Sequence, residues 1–92
     1  MYEIKPKNAN RFRHDVARLT PEDRTRDREA LTALARNPRP RGAICLEKNC
    51  YRLKVGTVRI IYQIFDEEKL VLVGAVVKRN ERTYKDWRRL FR

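Results

Sequence analysis

Histidine occurs once in this 92-residue chain, at His14, and cysteine twice, at Cys45 and Cys50. A mechanism built on paired histidines is thereby excluded, and a zinc site lacks its ligand set. Cys45 and Cys50 read as reduced, buried small apolar residues; His14, beside Asp15, reads as a surface or capping residue. No run approaches membrane-spanning length, and strand-like Tyr2-Glu3-Ile4 follows Met1 too closely to leave room for the apolar part of a signal peptide. Repeats, linkers and low-complexity segments are missing as well. A cytoplasmic protein with a single domain over residues 1–92 is expected, large enough to fold unaided but with little stability to spare. Negative charge is scarce: 12 acids stand against 23 Lys+Arg, for a net charge of +11 and a pI near 10.4. Such an excess points to a polyanion, first of all nucleic acid, and then to an acidic protein partner.

Turning to what is present, Ala9, Phe12, Val16 and Leu19 recur at steps of three and four, which marks one face of a helix. Thr20-Pro21-Glu22-Asp23 opens a second helix, with Thr20 as cap, Pro21 in the first turn and acids where the helix dipole favours them. Its apolar stripe, Leu31, Leu34 and Ala35, is thin, and Asn37 before Pro38 ends it. The helical hairpin thus runs from about Lys7 to Asn37. Cys50–Val55 then alternates as a strand, Gly56-Thr57 suits a type II′ turn, and Val58–Phe65 returns. Asp66, Glu67 and Glu68 fall in a polar turn and read as solvated, while Leu70–Val77 is apolar on both faces and so belongs inside a sheet. A meander alone would leave that strand at an edge. The N-terminal strand is therefore expected on its free side, with both helices across one face. The predicted fold is α+β: strand and helical hairpin packed on one face of a small antiparallel sheet of about four strands. A short C-terminal helix from about Lys85 carries Trp87, Leu90 and Phe91, which read as core, the alternative being cover over the functional face or a partner groove.

The hairpin register raises a question of charge. A turn at Gly56-Thr57 pairs Val55 with Val58, Lys54 with Arg59, Leu53 with Ile60, Arg52 with Ile61 and Tyr51 with Tyr62. Leu53, Val55, Val58 and Ile60 then face the helices, and Arg52, Lys54 and Arg59 share the other face, towards solvent. Like charges directly opposite cost up to roughly 1 kcal/mol per pair; the hairpin alone leaves open whether the long side chains merely splay apart into water or serve a site. Lys78-Arg79-Asn80-Glu81-Arg82-Thr83-Tyr84 leaves the neighbouring strand and brings Arg79 and Tyr84 towards the same face. Arginine forks suit phosphate oxygens, lysine adds a compact charge, and tyrosine offers a stackable ring. The combination reads as a site for an anionic backbone, with Arg52, Lys78 and Arg82 as RNA-binding residues.

YRLKVGTVRIIYQI, an apolar strand and then KRNERTY resemble the RelE/ParE toxin superfamily of bacterial toxin–antitoxin systems, and within it the RelE-type mRNA interferases. Strand, helical hairpin, the Asn37–Gly42 loop, a leucine-bearing link and then the meander extend the resemblance over nearly the whole chain. It implies a type II toxin that enters the A site of the 70S ribosome, against 16S rRNA, and cuts translated mRNA. A cognate antitoxin would hold it inactive in a hetero-oligomer. By the same resemblance Lys54, Arg59, Arg79 and Tyr84 are the catalytic positions, with Arg52 beside them. Arg52 stands where the best-known pattern has lysine, and the segment between Arg79 and Tyr84 is one residue shorter.

Metal-free RNA cleavage, needing no cofactor, has the ribose 2′-OH attack the adjacent phosphate. It requires a base for that hydroxyl, positive charge for the pentavalent phosphorus and a proton for the leaving 5′-oxygen. Lys54 and Tyr84 are the candidate bases, because neighbouring cations disfavour ammonium and favour phenolate; Arg59 and Arg79 would stabilise the transition state. Two alternatives share the fold: a ParE-like protein that inhibits DNA gyrase by binding it, and a catalytically inactive RNA- or ribosome-binding homologue.

Overall fold

A computed structural model describes residues 1–79 and 86–91. In chain order the elements are β1 (Glu3–Pro6), α1 (Ala9–Ala17), α2 (Pro21–Arg36), β2 (Ile44–Glu47), β3 (Cys50–Val55), β4 (Val58–Phe65), β5 (Leu70–Lys78) and a C-terminal 3-10 helix (Trp87–Phe91). Local sequence sets the helix ends. The Asn8 side chain accepts from the Arg11 amide at 3.0 Å to start α1, and Thr20 Oγ1 accepts from the Asp23 amide at 3.2 Å to start α2. Asn37, extended at φ −143° ahead of Pro38, ends α2.

The five strands are ordered β1-β5-β4-β3-β2. β1 does take the free side of β5, in parallel register, and the remaining pairs are antiparallel. One strand goes beyond expectation: Ile44–Glu47, read as a link, pairs with β3 at the far edge. It is four residues long with a bulge between Cys45 and Glu47, so no alternation develops that a pattern search could find. Its edge position also corrects the reading of Cys45, which is exposed with its thiol donating to the Glu47 carbonyl at 3.3 Å, whereas Cys50 is buried.

The main core lies between the helices and one sheet face, where Leu34, Ile60, Tyr62, Ile64 and Val71 are essentially fully buried, joined by Leu53 and Val58 as the register required. α2 supplies only a thin apolar stripe, and buried carboxylates take up part of the helix–sheet space. Asp15 ties α1 to the sheet: its Oδ2 accepts from the Val76 amide at 3.0 Å, and Arg11 Nε reaches both of its oxygens at 3.1 Å. The opposite face carries a second cluster, Ile61, Ala75 and Val77, covered by Leu46, Trp87, Leu90 and Phe91. The expected terminal helix is thus a five-residue 3-10 helix that packs on the face away from α1 and α2. Gly74 permits this, since a Cβ there would lie 2.6 Å from Phe91 Cζ.

At the end of the sheet away from the β3–β4 turn, Arg39 closes a clasp. Its two terminal nitrogens donate to Asp66 at 3.1 and 2.9 Å, its Nε donates to the Tyr51 hydroxyl at 3.0 Å, and the Tyr2 hydroxyl also donates to Asp66. Asp66, read as a solvated turn residue, is therefore a three-way anchor. Its hydrogen bond from Arg39, and next that from Tyr2, hold its carboxyl down at about 2. Behind the clasp the buried Tyr62 hydroxyl donates to the Pro38 carbonyl at 2.8 Å.

Candidate nucleic-acid site

The β3–β4 hairpin has the register derived from its residues: Val55 opposite Val58, Lys54 opposite Arg59, Leu53 opposite Ile60, Arg52 opposite Ile61 and Tyr51 opposite Tyr62. Gly56 adopts φ +61°, as the first central position of a type II′ turn demands. The tip of the hairpin is pinned to the start of α2. Thr57 Oγ1 donates to Asp23 Oδ2 at 3.3 Å, and Arg26 Nη1 lies 3.6 Å from Asp23 Oδ1. The same residues that begin the helix therefore hold the turn that carries the cations.

Around this tip the structure corrects one expectation. Arg59 does not extend into solvent; it is 7% exposed, and its Nη1 donates to the carbonyls of Gly56 (3.3 Å) and Val58 (3.1 Å). The side chain folds back on its own turn, whose Gly56 and Val58 carbonyls supply acceptors to a guanidinium shielded from water. Burial first, then the charges of Arg52 and Arg79, disfavour its protonated form. Lys54 is exposed and Arg52 half-buried. Arg79 lies just past β5, its amide donating to the Thr57 carbonyl at 3.0 Å, so its backbone is held beside the same turn. Arg52, Lys54, Arg59 and Arg79 are thus gathered around one hairpin tip.

Lys78 is not part of that group. It pairs with Val58, a core residue, and so falls on the helix side of the sheet. Arg82 and Tyr84 lie outside the described residues. Sequence reasoning missed Ile44, which pairs with Arg52 and shares its face while remaining 47% exposed; the one signal was an isolated large apolar residue in a stretch read as a link. Among the described residues no group of three or more His, Cys, Asp or Glu side chains is placed to hold a metal ion, and no helix is long and apolar enough to cross a membrane. Chemically, the tip offers guanidinium forks and an ammonium to phosphate oxygens, one of the forks already ordered by hydrogen bonds to the backbone.

The profile of the family described as the ParE toxin of type II toxin–antitoxin systems, parDE, matches residues 8–83. The chain belongs to the RelE/ParE toxin superfamily. Solved toxin structures share its fold. A chain of the toxin–antitoxin complex RelBE2 from Mycobacterium tuberculosis is 26% identical with a TM-score of 0.71, over 87% of this chain and 93% of that one. The archaeal RelE–RelB complex from Pyrococcus horikoshii OT3 matches at 23% identity and a TM-score of 0.77, over 87% of this toxin and 97% of its counterpart. For the isolated RelE toxin of E. coli the values are 21% and 0.71, over 97% of both chains. Comparison with curated protein sequences gave no match.

Proposed function

We propose that this toxin is a ribosome-dependent endoribonuclease of the RelE type, acting in the cytoplasm on translated mRNA in the ribosomal A site and restrained by a cognate, acidic antitoxin. The observation that carries the reading is the hairpin tip. Arg59 is fastened to the Gly56 and Val58 carbonyls and ringed by Arg52, Lys54 and Arg79. A donor held in place before substrate arrives stabilises developing charge without reorganising. In the reaction, the 2′-oxygen attacks the adjacent phosphorus while Lys54 or Tyr84 takes the hydroxyl proton. The P–O5′ bond breaks with Arg79 beside the leaving oxygen, which gains a proton, and the products are a 2′,3′-cyclic phosphate and a 5′-hydroxyl. Arg59 neutralises the equatorial oxygens, and Arg52 binds a flanking phosphate. The site has no strong acid–base pair, which fits an enzyme whose substrate is oriented by the ribosome.

The family profile bears the ParE name, and that favours a second reading, inhibition of DNA gyrase by protein binding. Induced expression followed by mapping of mRNA 5′ ends separates the two. Cuts within translated codons, abolished by Arg79→Ala or Lys54→Ala, are the expected result. DNA breaks with intact mRNA would establish the gyrase reading instead.

A further inference from the structure

The tip of a two-residue hairpin is held only by its own strands, and such tips are ordinarily among the more mobile parts of a fold. The tip at Gly56-Thr57 is also held from outside. Asp23, in the first turn of α2, is only 8% exposed. Its Oδ2 accepts from Thr57 Oγ1 at 3.3 Å, and its Oδ1 lies 3.6 Å from Arg26 Nη1. Arg26 in turn lies over the glycine, since a Cβ on Gly56 would stand 3.2 Å from that same Nη1. A carboxylate shielded in this way needs donors, and a hydrogen bond to an ionised acceptor is among the stronger kinds. Thr57 is itself exposed, so core packing does not account for a threonine at that position.

Three successive carbonyls of this turn hold the two arginines of the proposed reaction. Those of Gly56 and Val58 accept from Arg59 Nη1 at 3.3 and 3.1 Å, and that of Thr57 accepts from the Arg79 amide at 3.0 Å. Any tilt of the turn against the sheet therefore moves Arg59 and Arg79 together. We propose that Asp23 and Thr57 are a positioning pair for RNA cleavage. From the start of α2 they fix the turn whose carbonyls place both arginines, and neither touches the substrate. The proposal rests on the ribonuclease reading and adds to it what holds the geometry of that site. A misplacement of about 1 Å costs on the order of 10²-fold in rate. A tip that loses one hydrogen bond but keeps both strands moves less than that, so a smaller loss follows.

The test measures single-turnover cleavage of ribosome-bound mRNA over a range of toxin concentrations. It compares wild type with Thr57→Val, Thr57→Ser, Asp23→Ala and the double variant Asp23→Ala/Thr57→Val, each shown by circular dichroism to be folded at the assay temperature. Thr57→Val, which loses the donor, is expected to lower the saturating rate about tenfold. The half-saturating concentration stays within about twofold, because every cation of the tip remains. Thr57→Ser keeps the hydroxyl and cleaves close to the wild-type rate. The double variant cleaves no more slowly than Asp23→Ala alone, since two residues acting through one hydrogen bond do not add. On the free toxin, hydrogen exchange at the Arg79 amide, read by NMR, is expected to quicken about tenfold in Thr57→Val. The positioning pair is overturned, with the ribonuclease reading left standing, by any of four results. These are a Thr57→Val rate within about twofold of wild type, a loss confined to the half-saturating concentration, a serine variant as slow as the valine one, or unchanged exchange at Arg79. A double variant whose losses multiply likewise overturns the pairing. A wild-type chain that leaves ribosome-bound mRNA uncut removes both readings.

Discussion

Arg59 and Asp27 are charged side chains that folding draws out of water, and each has consequences that a substitution can expose. Arg59→Lys keeps the charge but loses the fork that reaches the Gly56 and Val58 carbonyls. Under the proposed function, cleavage of ribosome-bound mRNA is expected to fall about 10²-fold, the scale for losing one placed transition-state donor, as read by single-turnover assays. Asp27 bears on stability. Its folded value, about 6, lies above the ordinary 3.8, so the native state holds the proton more tightly than the unfolded chain does. That contribution is fully present below pH 3.8 and is lost as pH rises through about 6, beyond which a buried anion opposes folding. Asp27→Asn should therefore stabilise the protein above pH 6 by on the order of 2 kcal/mol and flatten the dependence between pH 4 and 6, as measured by urea unfolding at stepped pH. Asp66 works in the opposite sense. Its folded value, about 2, is depressed, so its contribution is present above pH 3.8 and fades as pH falls through about 2.

Among the elements, those with local rules were legible from sequence. The cap at Thr20, the proline after Asn37 and the glycine at position 56 dictated where α2 and the hairpin turn begin or end. β2 was not legible, because four bulged edge residues carry no period, and its pairing with β3 is decided by β3. Nor was the cover that the 3-10 helix gives the second face, which depends on the missing side chain at Gly74. Gly74→Val would push Phe91 off β5. The overpacking is expected to cost about 1–3 kcal/mol and to redshift Trp87 emission as the 3-10 helix lifts. On the main-core side, Tyr62→Phe removes the donor to the Pro38 carbonyl at 2.8 Å. A loss of about 1–2 kcal/mol is expected for an acceptor left buried without a partner, measured by thermal unfolding.

For the whole molecule, the dominant property is the +11 charge, and under the proposed RNA-cleaving function it acts on RNA electrostatically at long range, with the specific contacts at the hairpin tip. Binding to single-stranded RNA should weaken linearly in log affinity against log salt. Arg79→Ala, which removes one exposed cationic side chain from a residue whose amide is held on the Thr57 carbonyl, should lower the slope by about 0.7, the single-strand value per phosphate contact. An unchanged slope would remove Arg79 from the phosphate site.

The amino-acid sequence by itself determined the order of every element but β2, the hairpin register and the sharing of one sheet face by Arg52, Lys54 and Arg59. All of these follow from short-range rules: helical and strand periods, capping and turn stereochemistry. Only the tertiary structure decided that Arg59 is shielded and tied to its own turn, that Lys78 points to the helix side, and that Asp15 and Asp27 lie buried beneath the helical hairpin. The physical reason is that burial and hydrogen-bond partners depend on which distant segments pack together. A charge on a helix reads as solvated until the strand beneath it, here at Val76, turns out to offer an unpaired amide.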